Sequence, residues 1–440
     1  MSFFLDYCDK LEKKRDATVK KFIRDNYSIL LQAGTIDMNL SRKYVFWSCL
    51  LAIFNYAVLA NQDWMLLYST FLLKDDFETA SGDLNYFLLI SVSIGFLCNF
   101  HYYREDFLDG CKIMSGGLFQ YADHMKETED MIKFRKHMRF QRNLLIALAI
   151  YVCNIGGIVV LGPVIDDYTG HGFNGTYDEN GVNRRLPVPL FLPFESINGI
   201  GYLTALGMTT ISGTVTCAVI GGASFLFSTF SHQILTELKI LSCSIKAISS
   251  RALKMYCRIH NVSKKSVDRK TLYSNPMFQD CITECIKENI KHYTNIAECM
   301  EVVERFVKIP VFLSFLIVTL AIGLSMMKLN EDIVRIGSSV SFASVAIGEI
   351  LNMLSVAVNG EHFLTLSHEV NWEIYFTPWY KFNLKNKKMI RQFLQSTQNE
   401  LYLSAWIVRF DMEMFASVVN SAYSFFNFLK LSKTINVEEM

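Results

Sequence analysis

Six stretches of this chain are too long and too apolar to be ordinary core segments of a protein in water. They cover residues 44–72, 86–103, 144–165, 197–230, 307–327 and 336–358. Each reaches the roughly 18-residue length at which a bilayer-crossing helix is read. A seventh stretch, 401–431, is weaker, because Arg409, Asp411 and Glu413 interrupt its start. Its uncharged part, 414–429, makes about 24 Å of helix at ~1.5 Å per residue. Inside lipid every backbone polar group needs an internal partner, so such a chain must be a bundle of helices. The expected fold class is an all-α membrane protein with seven transmembrane helices. Composition agrees: the chain is 51% hydrophobic and 19% charged, with 34 Phe among 440 residues. The first and fourth stretches exceed one perpendicular crossing, so they tilt or project from the membrane.

Basic residues set the orientation. Segments 1–43, 104–142, 232–308 and 361–400 hold 9, 8, 13 and 5 Lys and Arg, whereas the alternate segments hold 1, 2, 2 and 2, with Arg409 the remaining one of 43. The N-terminus is therefore expected in the cytoplasm and the C-terminus outside. This divides the chain into a cytoplasmic N-terminal segment, 1–43, and helices one to four, 44–230, with an outer loop at 166–195. A cytoplasmic helical hairpin, 231–306, and helices five and six, 307–358, follow. An inner segment at 359–400, the seventh helix at 401–431 and an outer tail at 432–440 complete it.

Several function classes are excluded. A net charge of +1 gives no field for nucleic acid. None of the 11 cysteines falls in an outer segment, which argues against a disulfide-stapled ectodomain. Cys281 and Cys285 have the spacing of a helix face, not of a zinc knuckle. The charged N-terminus is no cleavable signal. There is no P-loop, GxGxxG, HExxH or GxSxG, and the nine histidines are scattered. An enzyme, a metal and a cofactor are not expected. No inverted repeat or matched pair of broken spans points to a secondary transporter.

Outside, residues 166–195 hold the sequon Asn174-Gly175-Thr176, a candidate glycosylation site, and Pro187, Pro189 and Pro193, which favour an extended lid. Inside, 232–259 and 277–307 have helical spacing around a polar loop. They serve either as an oligomerising platform or as a solvated hairpin.

Three features carry candidate chemistry. In the last stretch, Glu413, Ser417, Asn420, Ser424, Asn427 and Leu431 recur at steps of four and three, which places them on one helical stripe. The other side carries Phe415, Val418, Val419, Ala422, Phe425, Phe426 and Leu429. A polar stripe in a membrane must face protein or water, so packing and a water-filled pore both fit. Glu349 stands alone in the middle of the sixth span, where a carboxylate is costly; a function and a structural hydrogen bond both remain open. The outer halves of spans two to five are rich in aromatic and small residues, among them Tyr86, Phe87, Tyr151, Asn154, Gly157, Tyr202 and Met326. Such walls suit an apolar pocket as well as ordinary helix packing.

The stretch from Gly360, GEHFLTLSHEVNWEIYFTPWY, resembles the segment after the sixth span of insect odorant receptors. The family spacing falls on Gly360, Ser367, Val370, Tyr375, Trp379 and Tyr380. KKMIRQFLQSTQ, the AYSFFNFLK of the last span and the Leu192 to Phe194 LPF also fit. The related gustatory receptors end in a TY-x₅-QF pattern that this chain lacks. The family's shared co-receptor has a longer second inner loop, so the chain looks like an odour-tuning subunit.

The resemblance implies a ligand-gated, non-selective cation channel built as a tetramer with the co-receptor, in the plasma membrane of olfactory sensory neurons. It implies an odour pocket in the outer halves of spans two to five, by position at Tyr86, Phe87, Cys153, Gly156, Val160, Met208, Ser212, Thr319 and Ile322. It implies a pore along the seventh helix, with Ser424, Asn427, Phe428, Leu431 and Ser432 near the constriction and Asp411 and Glu413 at the inner mouth. Phe428 stands where the family has an aliphatic residue. Trp379 and Tyr380 belong to the expected anchor. The expected partners are thus the co-receptor, a small volatile odorant, lipid and permeant cations. A G-protein-coupled chemoreceptor and a solute carrier are the competing readings. They differ from the first in terminus orientation and in saturable uptake.

Overall fold

A computed structural model describes residues 2–32, 45–74, 76–121, 129–170, 177, 181–262, 271–329, 335–405 and 408–438. The helices are α1 (Ser2–Lys14), α2 (Ala17–Gln32), α3 (Val45–Leu72), α4 (Phe77–Tyr102), α5 (Arg104–Ser115) and α6 (Glu129–Tyr168). They continue with α7 (Gly199–Lys246), α8 (Ile248–Ile259), α9 (Pro276–Leu329), α10 (Ile336–Tyr375), α11 (Leu384–Ser396) and α12 (Met412–Glu438). Two short antiparallel hairpins, Val182–Asn183 with Leu190–Phe191 and Ser404–Ala405 with Val408–Arg409, are the strand pairs among the described residues.

α3, α4, α6, α7, α9 and α10 are long and apolar enough to cross a membrane. α12, at 27 residues, has the length but is not one of these six, because its polar stripe lowers its hydropathy. The seventh helix begins at Met412, not at 401. Ser404–Ala405 and Val408–Arg409 pair as short antiparallel strands instead, and Asp411 accepts a 2.8 Å hydrogen bond from the Met414 amide as the helix cap. The helix also runs past 431 to Glu438.

Several helices extend well beyond the apolar stretches that mark them in the sequence. α7 has 48 residues and α9 has 54, or about 72 and 81 Å at ~1.5 Å per residue. Both exceed the roughly 30 Å of bilayer hydrocarbon. Their extensions lie toward the end predicted to be cytoplasmic, here called inner. There α7, α8 and α9 bury Ile282, Ile286, Leu238 and Leu241, so the apolar stripe of these inner helices is internal. Cys281 and Cys285 lie on that buried stripe. Arg251 pairs with Glu288 and stacks on Tyr121, while His292 joins the Tyr121 hydroxyl at 2.7 Å and Glu237 at 3.1 Å. α1 and α2, which hydropathy does not mark, bury Leu11, Val19 and Ile23. Lys14 ties α1 to α5 through Glu105 and Asp109.

Two joints in the bundle need small residues. Where α6 crosses α10, a Cβ on Gly337 would lie 2.0 Å from the Gly162 carbonyl oxygen. Where α10 passes the hairpin before α12, a Cβ on Gly360 would lie 1.6 Å from the Phe410 carbonyl oxygen. Only glycine permits such approach. At the first joint, Asp166 of α6 caps α10. Its carboxylate accepts from the Gly337 amide at 2.7 Å, the Ser338 amide at 3.1 Å and the Ser338 hydroxyl at 2.6 Å. Asp166, the first residue of the expected outer loop, is thus buried helix.

Pro310 lies inside α9 and has no amide hydrogen to give the Phe306 carbonyl. Asn99 of α4 supplies it, its side-chain amide donating at 2.7 Å.

Candidate functional site

A cavity of about 80 Å³ lies in the end of the bundle predicted to be outer. α7 provides Thr209, Ser212, Gly213, Thr216 and Cys217, and α6 provides Ile155, Gly156, Val159 and Val160. Tyr86, Leu89 and Ile90 come from α4, Gln62 and Leu66 from α3, and Val345 from α10. The lining is mostly apolar. α3, α4, α6 and α7 contribute residues three or four apart, which turns one face of each to the cavity.

The roof is the 182–191 hairpin, with Pro187 and Val188 closing over the cavity. The segment is not helical, but between its two short strands it turns and bends at 184–188 where an extended lid was expected, and polar contacts pin it. The Phe191 amide donates to the Ser69 hydroxyl at 2.9 Å, and the Asn183 side chain donates to the Ser196 carbonyl at 2.7 Å. Arg184 pairs with Asp76 at 2.8 Å. Burial pushes the Asp76 carboxyl up, but the Thr79 hydroxyl and amide, with Arg184 and Lys328, outweigh it and hold it below its ordinary value.

Four of the nine expected pocket residues line this cavity: Tyr86, Gly156, Val160 and Ser212. Phe87, Cys153, Met208, Thr319 and Ile322 do not. Phe87 follows Tyr86 but lies about 100° around the helix. Cys153 is exposed on the outside of α6. Thr319 and Ile322 sit on α9, which reaches the other side of α4; Asn85 and Asn99 bond to it at Ser325 and Phe306. The walls come from spans one, two, three, four and six, with none from span five. The sequence shows which segments are apolar but not which neighbour each face meets.

Glu349 is buried one turn inward from Val345, and among the described residues neither of its carboxyl oxygens has a hydrogen-bond partner. The structural hydrogen bond that the sequence left open is not formed.

The second candidate feature is the face of α12. Met414, Val418, Ala422 and Leu429 are buried against the bundle, with Phe425 and Phe426 half-buried. Glu413, Ser417, Asn420, Ser424 and Asn427 all point away from their own chain and are exposed. Most of them line an open groove with Ala416 and Ser421. Phe428 and Leu431 are 67% and 62% exposed on the same side. Val419, expected on the packed side, is exposed. Asp411 is engaged as the helix cap, while Glu413 stays free on the groove. Arg409, which could have neutralised these two, pairs with Glu400 at 2.8 Å. The side chain of Ser432 and the sequon at Asn174 lie outside the described residues.

Trp379 and Tyr380 form a short 3₁₀ turn at the inner end and are 42% and 63% exposed. Trp372, Tyr375 and Phe376, at the end of α10, are exposed as well. These aromatics stack on one another, not on the chain's core.

This arrangement defines a multi-pass α-helical membrane protein with a roofed cavity and an unpartnered polar helix. A family model described as 7tm Odorant receptor matches residues 76–423, and the chain belongs to that family. The chain is 25% identical over 156 residues to Odorant receptor 46a, isoform A, of Drosophila melanogaster; the match spans 34% of this chain and 40% of that relative. Its fold is similar to that of the olfactory receptor OR5 of Machilis hrabei. The eugenol complex of that receptor gives a TM-score of 0.69 at 12% identity, over 94% of this chain and 98% of the other. The structure reported without eugenol gives 0.68 at 10% identity, over 94% and 99%. The family is one of receptors, not enzymes.

Proposed function

We propose that this protein is the odour-tuning subunit of a ligand-gated, non-selective cation channel. It sits in the plasma membrane of olfactory sensory neurons, N-terminus inside and C-terminus outside, and assembles with a shared co-receptor into a tetramer. The observation that carries the reading is the polar stripe of α12, which faces away from its own bundle. Lipid would leave that stripe unsatisfied, whereas copies of α12 around an axis enclose water. Glu413 then contributes to a carboxylate ring that concentrates cations at the inner mouth. Phe428 and Leu431 form an apolar collar that closes by dewetting. The exposed aromatics around Trp379 supply the subunit contact at the inner end. Eugenol in the related receptor's structure and the roofed apolar cavity here support a small volatile ligand, held mainly by burial at roughly 25 cal/mol per Å². The ligand opens the pore by binding the open state better than the closed one.

The test is expression with the co-receptor in cells whose G-protein signalling is blocked. An odour-evoked cation current, with the C-terminal tag accessible on intact cells, is expected. Saturable uptake without current, or an N-terminus outside, would overturn the reading.

A further inference from the structure

On α7, the hydroxyls of Thr204, Thr209, Thr210 and Thr214 each donate to the carbonyl four residues earlier, at 2.6–3.1 Å. This is the ordinary fate of a hydroxyl on an apolar helix, since it satisfies the donor locally. Ser212 and Thr216 depart from it. Both are buried, at 1% and 7% exposure, and both line the roofed cavity. Among the described residues neither hydroxyl has a hydrogen-bond partner. A buried hydroxyl without a partner carries a desolvation cost that a ligand group can remove.

The two residues are four apart, so they stack on one face with a rise of about 6 Å. An oxygen midway between them lies about 3.0 Å from each, at the long end of the O–H···O range. Around them the walls are aliphatic and aromatic: Leu89, Ile90, Val159, Val188 and Val345.

We propose that the cavity selects small neutral molecules bearing one oxygen on an apolar body, an alcohol, phenol, ether or carbonyl compound, and that Ser212 and Thr216 hold that oxygen. The assignment rests on the reading of this cavity as the odour site. The hydroxyls serve both as donors to an acceptor oxygen and as acceptors for an alcohol or phenol. A hydrocarbon of the same shape leaves both unsatisfied and binds less well. The cavity walls discriminate size; the hydroxyl pair discriminates chemistry.

The test pairs 2-phenylethanol with ethylbenzene on the full-length receptor, co-expressed with its co-receptor. Ser212→Ala with Thr216→Val keeps the cavity shape and removes both hydroxyls. The half-maximal concentration of the alcohol is expected to rise about tenfold, with that of the hydrocarbon unchanged or lower. Surface labelling and Thr216→Val alone guard against misfolding. Equal shifts for both probes, or none for either, overturn the hydroxyl assignment. Val345→Trp, which fills the cavity, separates the two claims. If it abolishes both responses while the double variant spares the alcohol, the cavity stands and its oxygen preference does not. If it leaves both responses intact, the cavity reading fails and this inference with it.

Discussion

At the scale of single residues, the joints depend on groups that hydropathy cannot reveal. Asp166 reads in the sequence as the first residue of an outer loop. In the fold its carboxylate caps a different helix, satisfying amide donors that α10 cannot satisfy itself. Asp166→Ala is expected to destabilise the receptor by about 1–2 kcal/mol, with Asp166→Asn milder, read as thermal stability in detergent. Glu349 makes the opposite case. It is buried, and among the described residues neither oxygen has a partner, so Glu349→Leu should raise the melting temperature by a few degrees, about 1–2 kcal/mol. A fall in stability would show that the carboxyl has a partner. The pocket was legible only in part for a related reason. The sequence located Tyr86, Gly156, Val160 and Ser212, but the roof residues Pro187 and Val188 join the cavity through a hairpin whose docking no local pattern records.

At the scale of elements, α12 was the most legible. Steps of four and three picked out Glu413, Ser417, Asn420, Ser424 and Asn427, and these residues are exposed together. The helix start was harder to place, because the charges of Arg409 and Asp411 close off a hairpin before Met412. Water-soluble thiol reagents applied to a cysteine scan of 413–431 are expected to modify the stripe and spare Met414, Val418, Ala422 and Leu429. Modification of the buried set would mean that the pore lies elsewhere. Leu431→Ser and Phe428→Ser should each raise current without ligand, because a polar collar wets more readily. Single-channel recording gives the outcome directly.

At the scale of the whole molecule, the all-helical bundle could be read from hydropathy alone, whereas the inner helices needed their helical spacing. The helical spacing of 232–259 and 277–307 continues spans four and five: α9 is one helix from Pro276 to Leu329, as that spacing implies, whereas α7 ends at Lys246 and α8 takes over at Ile248. Hydropathy sees where a helix leaves the apolar layer, not where it ends. Subunit contacts are equally invisible in one chain, yet Trp372, Phe376, Trp379 and Tyr380 leave a sizeable aromatic surface uncovered at the inner end. Trp379→Ala is expected to lower the yield of assembled tetramer severalfold on size-exclusion chromatography while leaving odour sensitivity per channel unchanged. Normal assembly with an altered odour preference would place Trp379 in recognition instead.

The borrowed hydrogen bond at Pro310 makes α9 a jointed rod whose stiffness is set by its neighbour. The 34 helical steps from Pro276 to Pro310 form an arm about 51 Å long, so a bend of about 10° at the joint swings its far end by about 9 Å. The brace is Asn99, on the helix that also presents Tyr86 and Ile90 to the cavity. A displacement of α4 by about 1 Å along the line of this bond stretches the brace beyond hydrogen-bond length. Small travel at the cavity is then expected to become large travel at the inner end, with α4 as trigger and the proline as elbow. Asn99→Leu unlatches the elbow permanently. Spin labels at Lys287 and Leu329 should then report a broadened distance distribution without any ligand, and an unchanged narrow one would show that the rod is stiff on its own.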